Sequence, residues 1–301
     1  MRQIIAFIVL ATLFAVVPAA EAGGPTGASG AIVSTAWVRE HLQDPRLILF
    51  QVGDRKEYDS LHLPRAQFLQ LRDVAKRWVE GANVLELPEP AVLDSVLEAR
   101  GVTESSIIVI YPGKDWFSPS SRIYLTLEWF GLGANAHIMD GGMPAWIADG
   151  GRVTAETVAV EKGSVTPRLR DDVVVTKEWV RSRLDDPKVA LLDARDPVFY
   201  TGQDTGNASR PGHLPGAKNL PFDSLVDTTG HFKKPAEIKA LFAASGMAEG
   251  KTAVSYCHVG QQATLVYLMA RVLGYDARMY DGSMQEWTRD PDAPLVREAV
   301  K

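Results

Sequence analysis

The 301-residue chain contains one cysteine, Cys257. With no second thiol, an internal disulfide scaffold, a zinc centre built on a cysteine cluster and two-cysteine thiol exchange within one chain are all excluded. Basic excess is lacking too: the formal net charge is -5, which removes the electrostatic footprint of a polyanion binder. Past the first 22 residues no apolar run approaches the roughly 20 residues that span a bilayer. A lone thiol in such a chain is inert when buried in apolar surroundings. It becomes reactive when it is accessible and held in positive potential.

The N-terminus has the pattern of an export signal. Arg2 precedes an uncharged run, Ile4 to Val17, which gives way to small residues with alanine at 19, 20 and 22. That order of basic, apolar and small regions predicts a signal peptide over residues 1–22, cleaved after Ala20 or Ala22, and a periplasmic or secreted product. An uncleaved N-terminal anchor is the alternative. The remaining chain is long enough for one large or two ordinary domains.

The rest of the chain reads as the same text written twice. LILFQVGDRKEYDSLHLPRAQFL, from Leu47, is echoed by VALLDARDPVFYTGQDTGNASRPGHLPGAKNLPF, from Val189. Two His-Leu-Pro runs lie 151 residues apart, Tyr111 and Tyr256 lie 145 apart, and the Asp-Gly pairs at 140 and 281 lie 141 apart. Offsets this similar predict a duplicated domain, over 33–151 and 170–297, joined by a linker at 152–169; a solenoid would need more and shorter repeats. In each half short apolar runs alternate with amphipathic stretches. This predicts an α/β fold in which a mostly parallel sheet is covered by helices on both faces.

Cys257 follows the buried-strand run TAVSY and precedes a helix expected from Ala263 or Thr264, with Gly274 as its stop. Parallel sheets place their chemistry at this carboxyl edge. Backbone amides of a tight strand-to-helix loop converge there, and the helix N-terminus adds positive potential that favours a thiolate and a bound anion. A cysteine phosphatase would carry an arginine six residues after the nucleophile, and Ala263 stands there instead. From the residues alone, bland readings stay open. Cys257 could be a small core hydrophobe, His258 a surface loop residue, and Arg195 a salt-bridge partner of Asp193 or Asp196.

LLDAR at 191–195, RPGHLPGAKNLPF at 210–222, VSYCHVGQQAT at 254–264, YDGSMQEW at 280–287 and DGGMPAW at 140–146 resemble the tandem-domain rhodanese family, the thiosulfate and 3-mercaptopyruvate sulfurtransferases. The resemblance runs from about residue 33 to 295. It implies two rhodanese-like domains, with the second catalytic and the first inactive because Pro112 stands where the nucleophile would be. It implies Cys257 as a nucleophile that carries sulfur as a persulfide. The loop from Cys257 through His258, Val259, Gly260, Gln261 and Gln262 would surround that sulfur, with Arg195 near the substrate anion. The implied partners are a small anionic sulfur donor and a cyanide or thiol acceptor; no metal, organic cofactor, nucleic acid or membrane insertion of the mature chain is implied. Thiosulfate is the first expectation for the donor. The alternatives are 3-mercaptopyruvate and a sulfur-binding module without turnover. The sequence departs from the family pattern at Leu61 and Arg65, and its active loop has neither the basic residues of thiosulfate enzymes nor the Cys-Gly-Ser-Gly of mercaptopyruvate enzymes.

Overall fold

The computed structural model describes residues 30–298 apart from position 115. The expected signal segment, 1–22, lies outside the described residues. The first half runs β1 (Ile32–Val33), α1 (Thr35–His41), β2 (Leu47–Val52), α2 (Arg55–Ser60), β3 (Ala66–Phe68), α3 (Pro90–Glu98), β4 (Ile107–Pro112), α4 (Phe117–Phe130), β5 (Ala136–Met139) and α5 (Gly142–Ala148). The second repeats the order: β6 (Val174–Val175), α6 (Lys177–Arg181), β7 (Val189–Asp193), α7 (Pro197–Tyr200), β8 (Lys218–Asn219), α8 (Pro235–Ala244), β9 (Thr252–Tyr256), α9 (Ala263–Val272), β10 (Asp276–Tyr280) and α10 (Ser283–Trp287). The sheets have matching orders, β1-β5-β4-β2-β3 and β6-β10-β9-β7-β8. Every ladder between these strands is parallel.

Local chemistry repeats along with topology. Ser34 Oγ accepts from the Trp37 amide at 3.1 Å, and Thr176 Oγ1 accepts from the Trp179 amide at 3.2 Å. Each hydroxyl thus caps a helix start, an arrangement worth about 1 kcal/mol. Helix α4 ends at Gly131, whose φ of 101° suits a residue without Cβ.

Alternation along the strands sorts side chains to two faces. In β4, Ile108 and Ile110 join one core, whereas Val109 and Tyr111 join another that includes Trp37 of α1 and Trp146 of α5. The first core continues into the second half, through Leu265, Val266 and Leu268 of α9 and Ile238 and Phe242 of α8. The halves therefore share one interior rather than touching at a polar rim. Residues 152–169 run along the first half, where Thr154 pairs with His62 and the Gly163 amide donates to Glu98 O at 2.8 Å.

Helices α4 and α9 form the seam, and they meet at equivalent positions. Ser121 Oγ lies 2.7 Å from Thr264 Oγ1, 143 residues on in the chain. Glu128 Oε1 meets Arg271 Nη2 at 3.2 Å at that same spacing. Contacts between equivalent residues are what a two-fold axis produces, so the chain resembles a symmetric dimer joined end to end. Glu128, with 2% of its side chain exposed, also accepts from Arg170 Nη1 at 3.0 Å.

Arg65 stands where the second half has Gly216, and it keeps a φ of 68°. Its guanidinium donates to the carbonyls of Leu42, Asp44 and Leu47. Those bonds offset an unfavourable backbone and explain how a residue other than glycine is held there.

Candidate active site

Cys257 is the first residue past β9, at the carboxyl edge of the second sheet. Its amide donates to Ser283 Oγ at 3.1 Å, and Ser283 Oγ donates in turn to Tyr280 O at 3.0 Å. The carbonyls of Cys257 and His258 accept from the amides of Met284 and Gln285 at 3.0 and 2.9 Å. In a trans peptide the C=O and the next N–H point in opposite directions. Tying these two carbonyls to α10 therefore turns the amides of His258 and Val259 to the other side of the loop. Among the described residues, none of the five amides from His258 to Gln262 donates to a protein acceptor. A run of free donors beside a sulfur, at the start of a ten-residue helix, forms a cradle for negative charge.

The first half shows what such a loop attracts. There the Lys114 amide donates to the Glu57 carboxylate at 3.1 Å, and that carboxylate packs on Gly113. The matching stacks Tyr58–His62 and Tyr200–His213, at 4.1 and 3.8 Å, align Glu57 with Phe199 of the second half. One half thus holds its own anion on the loop. The other has a phenyl ring at that position and leaves its amides free.

Cys257 is fully buried and belongs to the shared core. The simple choice between an inert buried thiol and a reactive exposed one does not describe it, because the loop that follows it is largely half-buried and carries amides with no protein acceptor among the described residues. Arg195 is likewise buried, with 1% of its side chain exposed against 0% for Asp193. Its Nε donates to Asp193 Oδ1 at 2.9 Å, and its Nη2 donates to Asp193 Oδ2 at 2.6 Å and to Gly212 O at 2.8 Å. Of the readings open in the sequence, the salt bridge with Asp193 is the one observed, so most of the fork is unavailable to a substrate. Burial works against the Arg195 charge, but the bonds to Asp193 outweigh it and hold its pKa above the ordinary value. The first half has no such pair: Tyr111 Oη donates to Gln51 Oε1 at 3.0 Å, and Gly53 takes the place of the arginine. The buried ion pair accompanies only the half that has a cysteine.

His258 packs edge-on to Phe199 at 4.6 Å, with Gly206 against its ring, and its Nδ1 is buried with no partner. Burial lowers its pKa to about 4, and the Arg195 charge adds to that shift. The imidazole is therefore neutral at pH 7 and brings no positive charge to the loop. The unfolded chain takes up this proton near pH 6.5 and the native state near pH 4, so stability falls as pH drops through that window. The loss should be about 3 kcal/mol. Urea denaturation at pH 7 and pH 4.5 should show a shallower decline for His258→Asn than for the parent; equal declines would contradict the neutral imidazole.

Gln261 does not face the cradle with its amide group: its Nε2 donates to Ser118 Oγ at 3.1 Å, across the seam. Gln262 is the N-cap residue of α9, and its Oε1 is buried and unpaired. Val259 is half-buried. Sequence reasoning missed Ser283, which anchors the cysteine, and Arg122, whose Nη1 donates to Gly260 O at 2.9 Å from the first half. Arg122 follows a run of serines in α4, and nothing in its local sequence marked it as a partner of the loop. Among the described residues no group of His, Cys, Asp and Glu side chains could hold a metal ion, and no helix is long and apolar enough to cross a membrane.

A family model described as the Rhodanese-like domain matches residues 34–149 and again residues 176–290. The chain belongs to the rhodanese family. Its relatives span the full tandem arrangement. SseB of Mycobacterium tuberculosis is 32% identical, covering 93% of this chain and 96% of its own. A thiosulfate sulfurtransferase of Pseudomonas aeruginosa is 28% identical, covering 88% and 96%. Among solved structures, SseA of Escherichia coli, described as a 3-mercaptopyruvate sulfotransferase, superposes with a TM-score of 0.75 at 23% identity, covering 84% of this chain and 98% of that one. That likeness establishes the fold: two rhodanese units of five parallel strands each.

Proposed function

We propose that this rhodanese is an exported thiosulfate sulfurtransferase that carries sulfane sulfur on Cys257. The observation that carries the reading is the row of free amides from His258 to Gln262 beside the single thiol, in the half that lacks an internal anion. In the first step the Cys257 thiolate attacks the outer sulfur of thiosulfate. A Cys257–sulfur bond forms, the sulfur–sulfur bond of the donor breaks, and sulfite leaves with the electron pair. In the second step cyanide or a thiolate attacks the outer sulfur of the persulfide, forming thiocyanate or a new persulfide and restoring the Cys257 thiolate. This is double displacement through a covalent intermediate.

The amides hold the transferred sulfur and the oxygens of the departing anion without a cationic side chain. Arg195, held by Asp193, interacts with Cys257 through space rather than as a clamp on the anion. Cys257 itself is fully buried, whereas His258, Val259, Gln261 and Gln262 of the loop are only half-buried, so a donor approaches from the loop side. The relatives' names favour thiosulfate as donor, while the neutral loop keeps 3-mercaptopyruvate as the second reading. Export rests on the pattern of residues 1–22. Sulfur loading tests the proposal: thiosulfate should add one sulfur to Cys257 and cyanide should remove it, with slower loading from 3-mercaptopyruvate.

A further inference from the structure

We infer that Arg122 of the first half is a positioning residue for the cradle around Cys257. Its side chain is 2% exposed and meets three segments at once. Nη1 donates to Gly260 O at 2.9 Å and to Asp281 Oδ1; Nη2 donates to Leu85 O and to Asp281 Oδ2, the latter at 3.2 Å. Gly260 is the middle of the active loop, and Asp281 precedes the α10 turn that anchors Cys257 and His258. Leu85 lies in a first-half segment resting on the second, where the Val84 amide donates to Gln285 Oε1 at 2.9 Å.

The chemistry follows from one peptide plane. Holding the Gly260 carbonyl outward turns the Gln261 amide inward, as α10 does for the amides of His258 and Val259. Of the three anchored carbonyls, only that of Gly260 is held from the other half. Its backbone cannot be fixed by a side chain of its own, because φ is 77° and a Cβ would lie 2.7 Å from both Asp281 O and Asp281 Oδ1. An external donor is therefore needed, and a guanidinium can serve the carbonyl and its own counter-ion together. At the 143-residue spacing of the contacting pairs, the counterpart of Arg122 is Leu265. The two-fold symmetry is thus broken at a residue that reaches toward the cysteine. In this arrangement the half without a nucleophile serves the reaction by keeping one donor aimed.

The activity readout rests on the sulfur-transfer reading. Two variants separate positioning from support of the fold. Arg122→Lys keeps the charge opposite Asp281, but its single nitrogen cannot serve every acceptor. The double variant Arg122→Met with Asp281→Asn leaves no buried charge unpaired. Transfer to cyanide would be measured with thiosulfate, which releases dianionic sulfite, and with methanethiosulfonate, which releases a singly charged sulfinate. In variants with native circular dichroism and cooperative melting, kcat with thiosulfate should fall about tenfold or more. The double variant should be the slower, and the loss with methanethiosulfonate should be smaller. Wild-type rates, equal proportional losses on both donors, or failure of every variant to fold would overturn the inference. If the parent protein transfers from neither donor, the sulfur-transfer reading fails. Positioning is then read from sulfite affinity by calorimetry, which should weaken in the same variants; unchanged affinity would overturn it.

Discussion

Cys257→Ser should abolish sulfur transfer, by about a thousandfold or more, while leaving a folded protein. A serine hydroxyl is a far weaker nucleophile than a thiolate and cannot carry sulfane sulfur, so both displacement steps are lost together. The fold has less at stake. The side chain is fully buried in the shared core, and an unpaired hydroxyl there costs roughly 1–3 kcal/mol. Steady-state rates with thiosulfate and cyanide, beside urea denaturation of the same sample, separate the two effects. Retained transfer would remove Cys257 from the chemistry. A collapsed fold would return it to the role of a core residue.

The second large effect lies at the far end of the α4–α9 seam. Glu128 is buried and meets both Arg170 and Arg271 through Oε1, at 3.0 and 3.2 Å. Replacing both arginines with methionine would leave a buried carboxylate without a cation, which should cost about 3–5 kcal/mol. Either replacement alone should cost less, since one cation remains and both arginines are partly exposed. Adding Glu128→Gln to the double variant should recover most of the loss, because the uncompensated charge is then gone. Denaturation midpoints of the parent and these variants at pH 7 check this. No recovery on adding Glu128→Gln would mean the cost came from packing of the arginine stems.

The duplicated fold was legible because its signals are local and repeat. Apolar runs such as VALLD and TAVSY became parallel strands, and the helix expected from Ala263 or Thr264 begins at Ala263, with Gly274 just past its end. The place of Cys257 between strand and helix was legible for the same reason. The partners of the site were not, because they are separated in sequence and meet only through packing. Arg122 reaches Gly260 across 138 residues, and Gln261 reaches Ser118 across 143. Arg195 was ambiguous in principle. LLDAR offers both a carboxylate two residues away and an open sheet edge, and only the fold decides that Asp193 takes most of the fork. His258 could be read from the sequence as a surface loop residue, and only the fold shows its half-buried ring against Phe199 with a lowered pKa.

The central claim is that Cys257 carries transferable sulfur. It is tested most directly by intact-mass and peptide mass spectrometry after incubation with thiosulfate and removal of excess donor. The account predicts a gain of one sulfur per chain, located on the peptide containing Cys257. That sulfur should be released as thiocyanate on adding cyanide, and it should be absent from Cys257→Ser. Unmodified protein after thiosulfate and after 3-mercaptopyruvate, with its fold intact, would contradict it.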